Sequence, residues 1–453
     1  MKRIITIILT IIMLLSLASC GTGGNPDPSP APTSGAPVPT AEPMEEPAED
    51  FSVWNYNDNS GASIWMTADS IYVVTKLGGV SAPKIMFSDR EYHDWMALCA
   101  RPDCMHRDMS CNAYFDGTGS SEMNICGEYI YYFATQIYGI GDYVTDSYPD
   151  LWRMRLDGSG HEKLAHFVPE RGAEAGGAEG LSLYLFGTYA IVAYSYYKAE
   201  DDGEGGTSIS LDGSTIPTTE YYAADLREDK PEFKNIYQRD AEHGLLFGRV
   251  CAGVGNVIYS LLPDFDKPDE NGIATESKLL KTDLDRAEIT ELCELPVMWE
   301  NSDAELVGDT LFIADSAAGS LYSVNVSTGE YSVKEGIFPV NVKYIEQVWG
   351  EGTRIIPSYT HYIIYGGVVM VEEDRADEEE HVIRFYDMEG SLLAVIEYGE
   401  GAEPIQLDYN RFIGDYLFGW LPTAGVRIVT EPTWYLDLNE IGTDNLMWRR
   451  WEP

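Results

Sequence analysis

The sequence predicts an all-β fold, a β-propeller of seven blades, with six or eight blades as alternatives. Two observations carry this expectation. A small turn followed by an apolar strand recurs seven times between residues 68 and 414, with 48 to 68 residues from one copy to the next. After each copy runs a second strand in which apolar and polar residues alternate, and no helical stretch exceeds about two turns. A β unit that cannot bury both faces alone must lean on its neighbours, and a ring of such units leaves no exposed end. A pair of β-sandwiches would not repeat so evenly.

The copies are Ala68-Asp69-Ser70-Ile71-Tyr72, Gly127-Glu128-Tyr129-Ile130-Tyr131, Gly187-Thr188-Tyr189-Ala190-Ile191 and Gly255-Asn256-Val257-Ile258-Tyr259. They continue as Gly308-Asp309-Thr310-Leu311-Phe312, Gly366-Gly367-Val368-Val369-Met370 and Gly414-Asp415-Tyr416-Leu417-Phe418. Gly, Asn or Asp at the turn and β-branched or aromatic residues after it are hairpin chemistry. In the second strand, Trp152, Met154 and Leu156 share a face, as do Tyr222/Ala224/Leu226, Leu280/Thr282/Leu284, Tyr322/Val324/Val326, Tyr386/Met388 and Trp434/Leu436/Leu438. Period-2 alternation buries one face of a strand more deeply than the other. The units average near 58 residues, longer than a compact blade, which places insertions at residues 138–148, 198–219, 263–277 and 372–381.

Composition bounds the function. The chain has 453 residues and a formal net charge of -44, with 44% apolar and 12% aromatic residues. That apolar content supports a core over most of the length. The acidity opposes nucleic-acid binding, which needs a basic face, and docking on anionic lipid head groups. Seven Cys are too few for a disulfide-built scaffold.

The N-terminus reads as an address. Lys2 and Arg3 precede an apolar run over residues 4–17, too short for a comfortable transmembrane helix and right for a signal peptide. It ends in Leu17-Ala18-Ser19-Cys20, which resembles the lipobox of bacterial lipoproteins. The resemblance implies cleavage after residue 19, a diacylglyceryl thioether on Cys20, and a chain held by its lipid on the outer face of a cell membrane. Residues 21–50 contain eight Pro and no basic side chain, a solvated spacer that samples polyproline II. The expected organisation is a signal peptide at 1–19, a lipidated cysteine and linker at 20–50, and a propeller at 51–453.

Leu151-Trp152-Arg153-Met154-Arg155-Leu156-Asp157-Gly158 resembles the Leu-Tyr-Arg-Met-Asp-Leu-Asp-Gly strand of TolB-like propellers. Uncharacterised propeller lipoproteins of Gram-positive bacteria carry a similar strand. The likeness covers most of residues 55–453 and implies a fold, not a chemistry, because propellers host many functions.

The most unusual local feature is Cys99-Ala100-Arg101-Pro102-Asp103-Cys104-Met105-His106, followed by Cys111 and Cys126. Three thiols and an imidazole in thirteen residues could form a Cys3His zinc site, although the spacing lacks a Cys-x-x-Cys pair. A structural disulfide, favoured by an oxidising compartment, and buried thiols are the other two readings. Cys251 and Cys293 fall near strands of one unit and could pair or serve as small apolar residues. His161-Glu162-Lys163-Leu164-Ala165-His166 is one residue too long for the zincin motif and lies on an expected strand. Asp264, Asp266, Asp269 and Asn271 place oxygen ligands at short intervals, as calcium requires, without EF-hand spacing. The seven carboxylates in residues 372–380 read as a solvated loop. Tyr143, Tyr148, Trp299 and Trp349 are expected in loops, where an aromatic face could meet a ligand.

No nucleophile elbow, Walker loop or dinucleotide fingerprint occurs in the sequence. The leading expectation is a lipid-anchored binding module for a protein, peptide or glycan. The alternative is an extracytoplasmic glycan lyase or hydrolase with paired carboxylates in the propeller channel. A carboxylate pair, or a His-Tyr pair, that converges in the channel with strongly displaced pKa values would favour the enzyme, and a polar channel without one would favour binding.

Overall fold

The computed structural model describes residues 64–67, 69–75, 84–89, 94–106, 111–114, 123–134, 148–169, 180–196, 200–201, 207–208, 218–239, 249–264, 274–297, 302–340, 342–349, 352–359, 362–374, 381–397, 412–413, 415–419 and 434–451. The chain divides into Met1–Asp50 and Phe51–Pro453. The first unit, with the apolar run, Cys20 and the proline-rich stretch, lies outside the described residues.

Seven four-stranded antiparallel sheets follow one another along the second unit, and the fold is a seven-bladed β-propeller. The first blade runs from Ile64–Met66 to Trp95–Ala97, the second from Met123–Cys126 to Glu162–His166, and the third from Gly180–Phe186 to Lys234–Arg239. The fourth spans Arg249–Val254 to Glu288–Leu295 and the fifth Ser302–Val307 to Tyr331–Lys334. The sixth spans Tyr362–Tyr365 to Leu392–Glu397 and the seventh Phe412–Ile413 to Arg449–Arg450. Apart from the 3-10 turn Leu438–Glu440, no helix occurs among the described residues.

The described residues of all seven copies of the repeat fall between or on a blade's first and second strands. Gly127, Gly187, Gly255, Gly308 and Gly366 take φ between 52° and 60° there, a left-handed conformation that a Cβ penalises. One backbone requirement, met five times by the same residue type, is why the repeat is visible in sequence. The insertions fall between strands as well. The third blade carries the extra hairpin Glu200–Asp201 with Thr207–Ser208, while Pro263 and Ser277, and Asp374 and His381, end and begin consecutive strands. Another hairpin, Val342–Trp349 with Gly352–Tyr359, stands between the fifth and sixth blades, so Trp349 ends a strand rather than occupying a loop.

The alternating faces point at the preceding blade. Met154, with Trp152 and Leu156 against it, packs on Tyr72, Val74 and Ile85 of the first blade. Tyr222, Ala224 and Leu226 join Phe133, Leu151 and Phe167 of the second. Leu280 and Leu284 meet Tyr184, Ile191 and Ala223, and Tyr322, Val324 and Val326 meet Tyr259, Leu261 and Leu279. Tyr386 and Met388 lie against the seam of Ala314, Leu321 and Phe338 with the sixth blade, and Leu436 against Met370, Ile383 and Phe385. The core is thus seven slabs between blades, and each deeply buried aliphatic or Phe side chain contributes about 1.5–3 kcal/mol.

The seventh slab closes the ring. Ile71 of the first blade is buried with Phe418, Tyr435 and Trp451 of the last, and the Trp451 indole donates from Nε1 to Ser88 Oγ at 3.0 Å. The two terminal blades share no strand; the described contacts across this seam are between side chains and few backbone positions.

Polar clamps also cross blades. Glu305, buried in the fifth, accepts the amide N–H groups of Gly366 (2.6 Å) and Gly367 (3.1 Å) in the sixth, beside Asp303, which accepts that of Ile364 at 2.9 Å. Between the third and fourth, Asn256 Oδ1 accepts from the Thr188 amide at 2.9 Å, and Arg227 donates to Asp285 at 2.7 Å.

Candidate metal centre and surface groove

The cysteine-rich segment is the connection that leaves the first blade after Trp95–Ala97 and enters the second at Met123–Cys126. Its two sides are fastened to one buried residue. Ile85 donates its amide to the Ala113 carbonyl at 2.8 Å, and its carbonyl accepts from the Leu98 amide at 2.9 Å. Between these anchors the donor atoms of Cys99, Cys104, His106 and Cys111 all lie within 4.8 Å of one another. His106 has φ of 53°, an uncommon conformation for a residue with a Cβ, and it turns the imidazole toward the sulfurs. His106 Nδ1 is 3.4 Å from Cys111 Sγ, and the Tyr114 hydroxyl donates to the His106 carbonyl at 3.4 Å.

The sulfurs sit in unlike surroundings. Cys111 is 2% exposed and receives the Ala113 amide at 3.4 Å; burial pushes its thiol up to about 12. Cys104 is held below the ordinary thiol value, first by the His106 amide and also by Arg101, whose Nη2 lies 3.2 Å from its sulfur. Three thiols and an imidazole at this separation are a soft donor set for a four-coordinate metal. Cys126, included in the sequence reading, is not among these four donors; it ends the second blade's first strand and packs against the seam with the third. The six described cysteines are thiols, with Cys251 inside the seam of the fourth and fifth blades and Cys293 against it.

The turn after the second blade's third strand covers the cluster. Asn112 Nδ2 donates to the Gly158 carbonyl at 3.3 Å, and a Cβ on Gly158 would lie 2.5 Å from the Leu98 carbonyl oxygen. Only glycine permits that approach. Arg101, Asn112 and Gly158 were not distinguishable as partners of the cysteines from sequence, because two are commonplace polar residues and the third lies 47 residues beyond Cys111.

The two histidines of the expected strand do not converge. Glu162–His166 is a strand, five residues of which span roughly 16 Å. His161, at one end, makes a 2.9 Å hydrogen bond through Nδ1 with the Tyr132 hydroxyl in the seam of the first two blades; burial raises the tyrosine's pKa and lowers the histidine's. His166, at the other end, bonds Asp150 at 2.6 Å, as does Lys163. A His-Tyr pair with displaced values therefore exists, between blades.

The strand Glu162–His166 also forms one wall of a groove of about 570 Å³. Residues 229–233 of the third blade form the other, with Phe233 edge-on to Phe167 at 5.5 Å and the exposed Val168 at the edge. The strand pairs only with Asp150–Arg155, so its outer edge carries no described strand.

Of the calcium candidates, Asp264 is buried, with its amide bonded to the Glu276 carbonyl at 2.9 Å, and Asp266, Asp269 and Asn271 lie outside the described residues. Tyr143 and Trp299 also lie outside them. Tyr148 packs edge-on against Phe167 at 5.8 Å and near Tyr194, so its ring belongs to a seam and not to a ligand platform.

No family profile matches the sequence, and no curated protein matches it. Among solved structures, the chain is similar to a chain in the nidogen/laminin complex at 11% identity and a TM-score of 0.30, over 72% of this chain and 92% of that one. It is also similar to the GH74 xyloglucanase from Xanthomonas campestris at 11% identity and a TM-score of 0.40, over 85% of this chain and 52% of that one, about half its length. Likenesses at this level carry over neither partner nor substrate.

Proposed function

We propose that the protein is an exported, lipid-anchored propeller that binds an extended segment of a partner protein along the outer edge of its second blade. The carrying observation is the strand Glu162–His166, which pairs on one side and faces the groove on the other. An unpaired edge offers alternating N–H and C=O groups, and an added strand gains affinity from them while pockets beside it select side chains. Val168 and Phe233 supply apolar contact, and a net charge of -44 steers cationic segments toward the chain. The run over residues 4–17 and the box ending at Cys20 support the anchor, with residues 21–50 as its spacer.

Full chain in detergent, applied to peptide and glycan arrays, tests the reading. Capture of Lys- or Arg-containing extended peptides is expected, weakening with salt and losing about tenfold, roughly 1.4 kcal/mol, in the Val168→Asp variant. Capture of glycans alone, or peptide capture indifferent to Val168→Asp, overturns it. For the anchor, Cys20→Ser should abolish metabolic lipid labelling, and a retained label refutes that part.

A further inference from the structure

We propose that Cys99, Cys104, His106 and Cys111 bind one zinc ion in a closed, tetrahedral Cys3His site that fastens the first blade to the second. The inference is independent of the groove and of any partner.

Geometry comes first. Zn–S bonds of about 2.3 Å and Zn–N bonds of about 2.0 Å at tetrahedral angles require S···S separations near 3.8 Å and S···N separations near 3.5 Å. The four donors lie within 4.8 Å of one another, and the imidazole-to-sulfur distance is 3.4 Å, so small side-chain rotations complete the shell. Nδ1 of His106 is the nitrogen that faces Cys111 Sγ and is the metal's nitrogen ligand.

The surroundings suit a bound thiolate set. Three thiolates and one neutral imidazole around Zn²⁺ carry a net charge of about -1. Arg101 places a cation 3.2 Å from Cys104 Sγ, and the Ala113 amide points at Cys111 Sγ from 3.4 Å. Such outer contacts orient and stabilise metal thiolates. The left-handed His106 is a local cost of the kind that persists where a site demands it.

Other occupants fit less well. A disulfide would use two of the three clustered sulfurs and leave the third with an idle imidazole. Calcium and magnesium take oxygen ligands, whereas a tetrahedral set of sulfur and nitrogen selects zinc. Four protein ligands leave no position for a substrate, so the ion is structural. On loading, each thiol gives its proton to solvent and zinc takes the three thiolates, with no change in oxidation state. Leu98, adjacent to Cys99, belongs to the seam of the first two blades, and Gly158 covers the same point, so the ion locks that seam.

The experiment uses the full chain, purified in detergent with a reductant and without chelator, and measures zinc by elemental analysis. One zinc per chain is expected. Cobalt substitution should give the strong visible bands of a tetrahedral site and sulfur-to-metal charge transfer in the near ultraviolet. Cys104→Ser should lose the zinc; should that variant fail to fold, His106→Cys, which completes four sulfurs, should keep the metal and shift the cobalt bands. Cys126→Ser should retain a full equivalent. Failure of the reduced wild-type chain to take up zinc, a weak octahedral cobalt spectrum, loss of metal in Cys126→Ser equal to that in Cys104→Ser, or a disulfide between two of Cys99, Cys104 and Cys111 in protein isolated separately without reductant overturns the proposal.

Discussion

Replacing Trp451 by alanine removes a deeply buried indole from the slab that joins the last blade to the first. The indole is 3% exposed, and its ring centroid lies 4.9 Å from Phe418, 5.1 Å from Tyr435, 5.5 Å from Tyr416 and 6.3 Å from Trp95. Truncating a buried Trp costs about 3–5 kcal/mol, combining lost transfer energy with the cavity left behind. Its hydrogen bond to Ser88, a residue 0% exposed, adds a polar element of about 1 kcal/mol. Trp451→Phe should therefore cost less than Trp451→Ala, and a double-mutant cycle with Ser88→Ala should show a coupling of about 0.5–1.5 kcal/mol. Urea unfolding gives these differences, with Met447→Ala, at a side chain 54% exposed, as the neutral control. Hydrogen exchange at the amides of Ile71 and Phe418 should accelerate before exchange in the seam of the fourth and fifth blades. A Trp451→Ala loss within about 0.5 kcal/mol of the control would refute the argument that this residue shuts the ring.

Three further outcomes follow from other positions. Gly158→Ala should destabilise the protein by at least 1 kcal/mol and, through Leu98, loosen the cysteine segment, whereas Gly442→Ala, with nothing near its Cβ position, bears only the left-handed strain; unfolding curves of the two variants separate the effects. Glu305→Ala strands the amides of Gly366 and Gly367 and should cost about 2–3 kcal/mol, with Glu305→Gln retaining part of it, as urea midpoints would show. Asp315, buried and raised above the usual carboxylate value by desolvation, favours folding when protonated, so its contribution is present at low pH and is lost as pH rises through the folded value. Asp315→Asn should consequently stabilise relative to wild type at pH 7, and the gain should shrink on acidification; a gain constant with pH would refute the desolvation argument.

The number of blades was legible because hairpins that need the same backbone turn select the same residue type, and the five described first-turn glycines all lie in the same left-handed region. The facing direction of the alternating strands was legible in part: period 2 marks Tyr322, Val324 and Val326 as one face, but that this face meets the fourth blade is settled only by stacking. The cysteine segment shows both limits. Its donor types and order stand in the sequence, while the separation of the thiols depends on two hydrogen bonds to Ile85 and on the turn at His106. Cys126 is near Cys111 along the chain and apart from it in the fold, because a strand carries it into a different seam.

Local chemistry thus determined the repeat, the strands, the turns and the run ahead of Cys20, since each depends on residues a few positions apart. Tertiary structure alone decided which donors gather, that Trp451 meets Ser88 across 363 residues, and that a strand edge faces the turn at 229–233. Those relations arise from ring closure and blade stacking, which bring together residues whose separation along the chain carries no periodic signal.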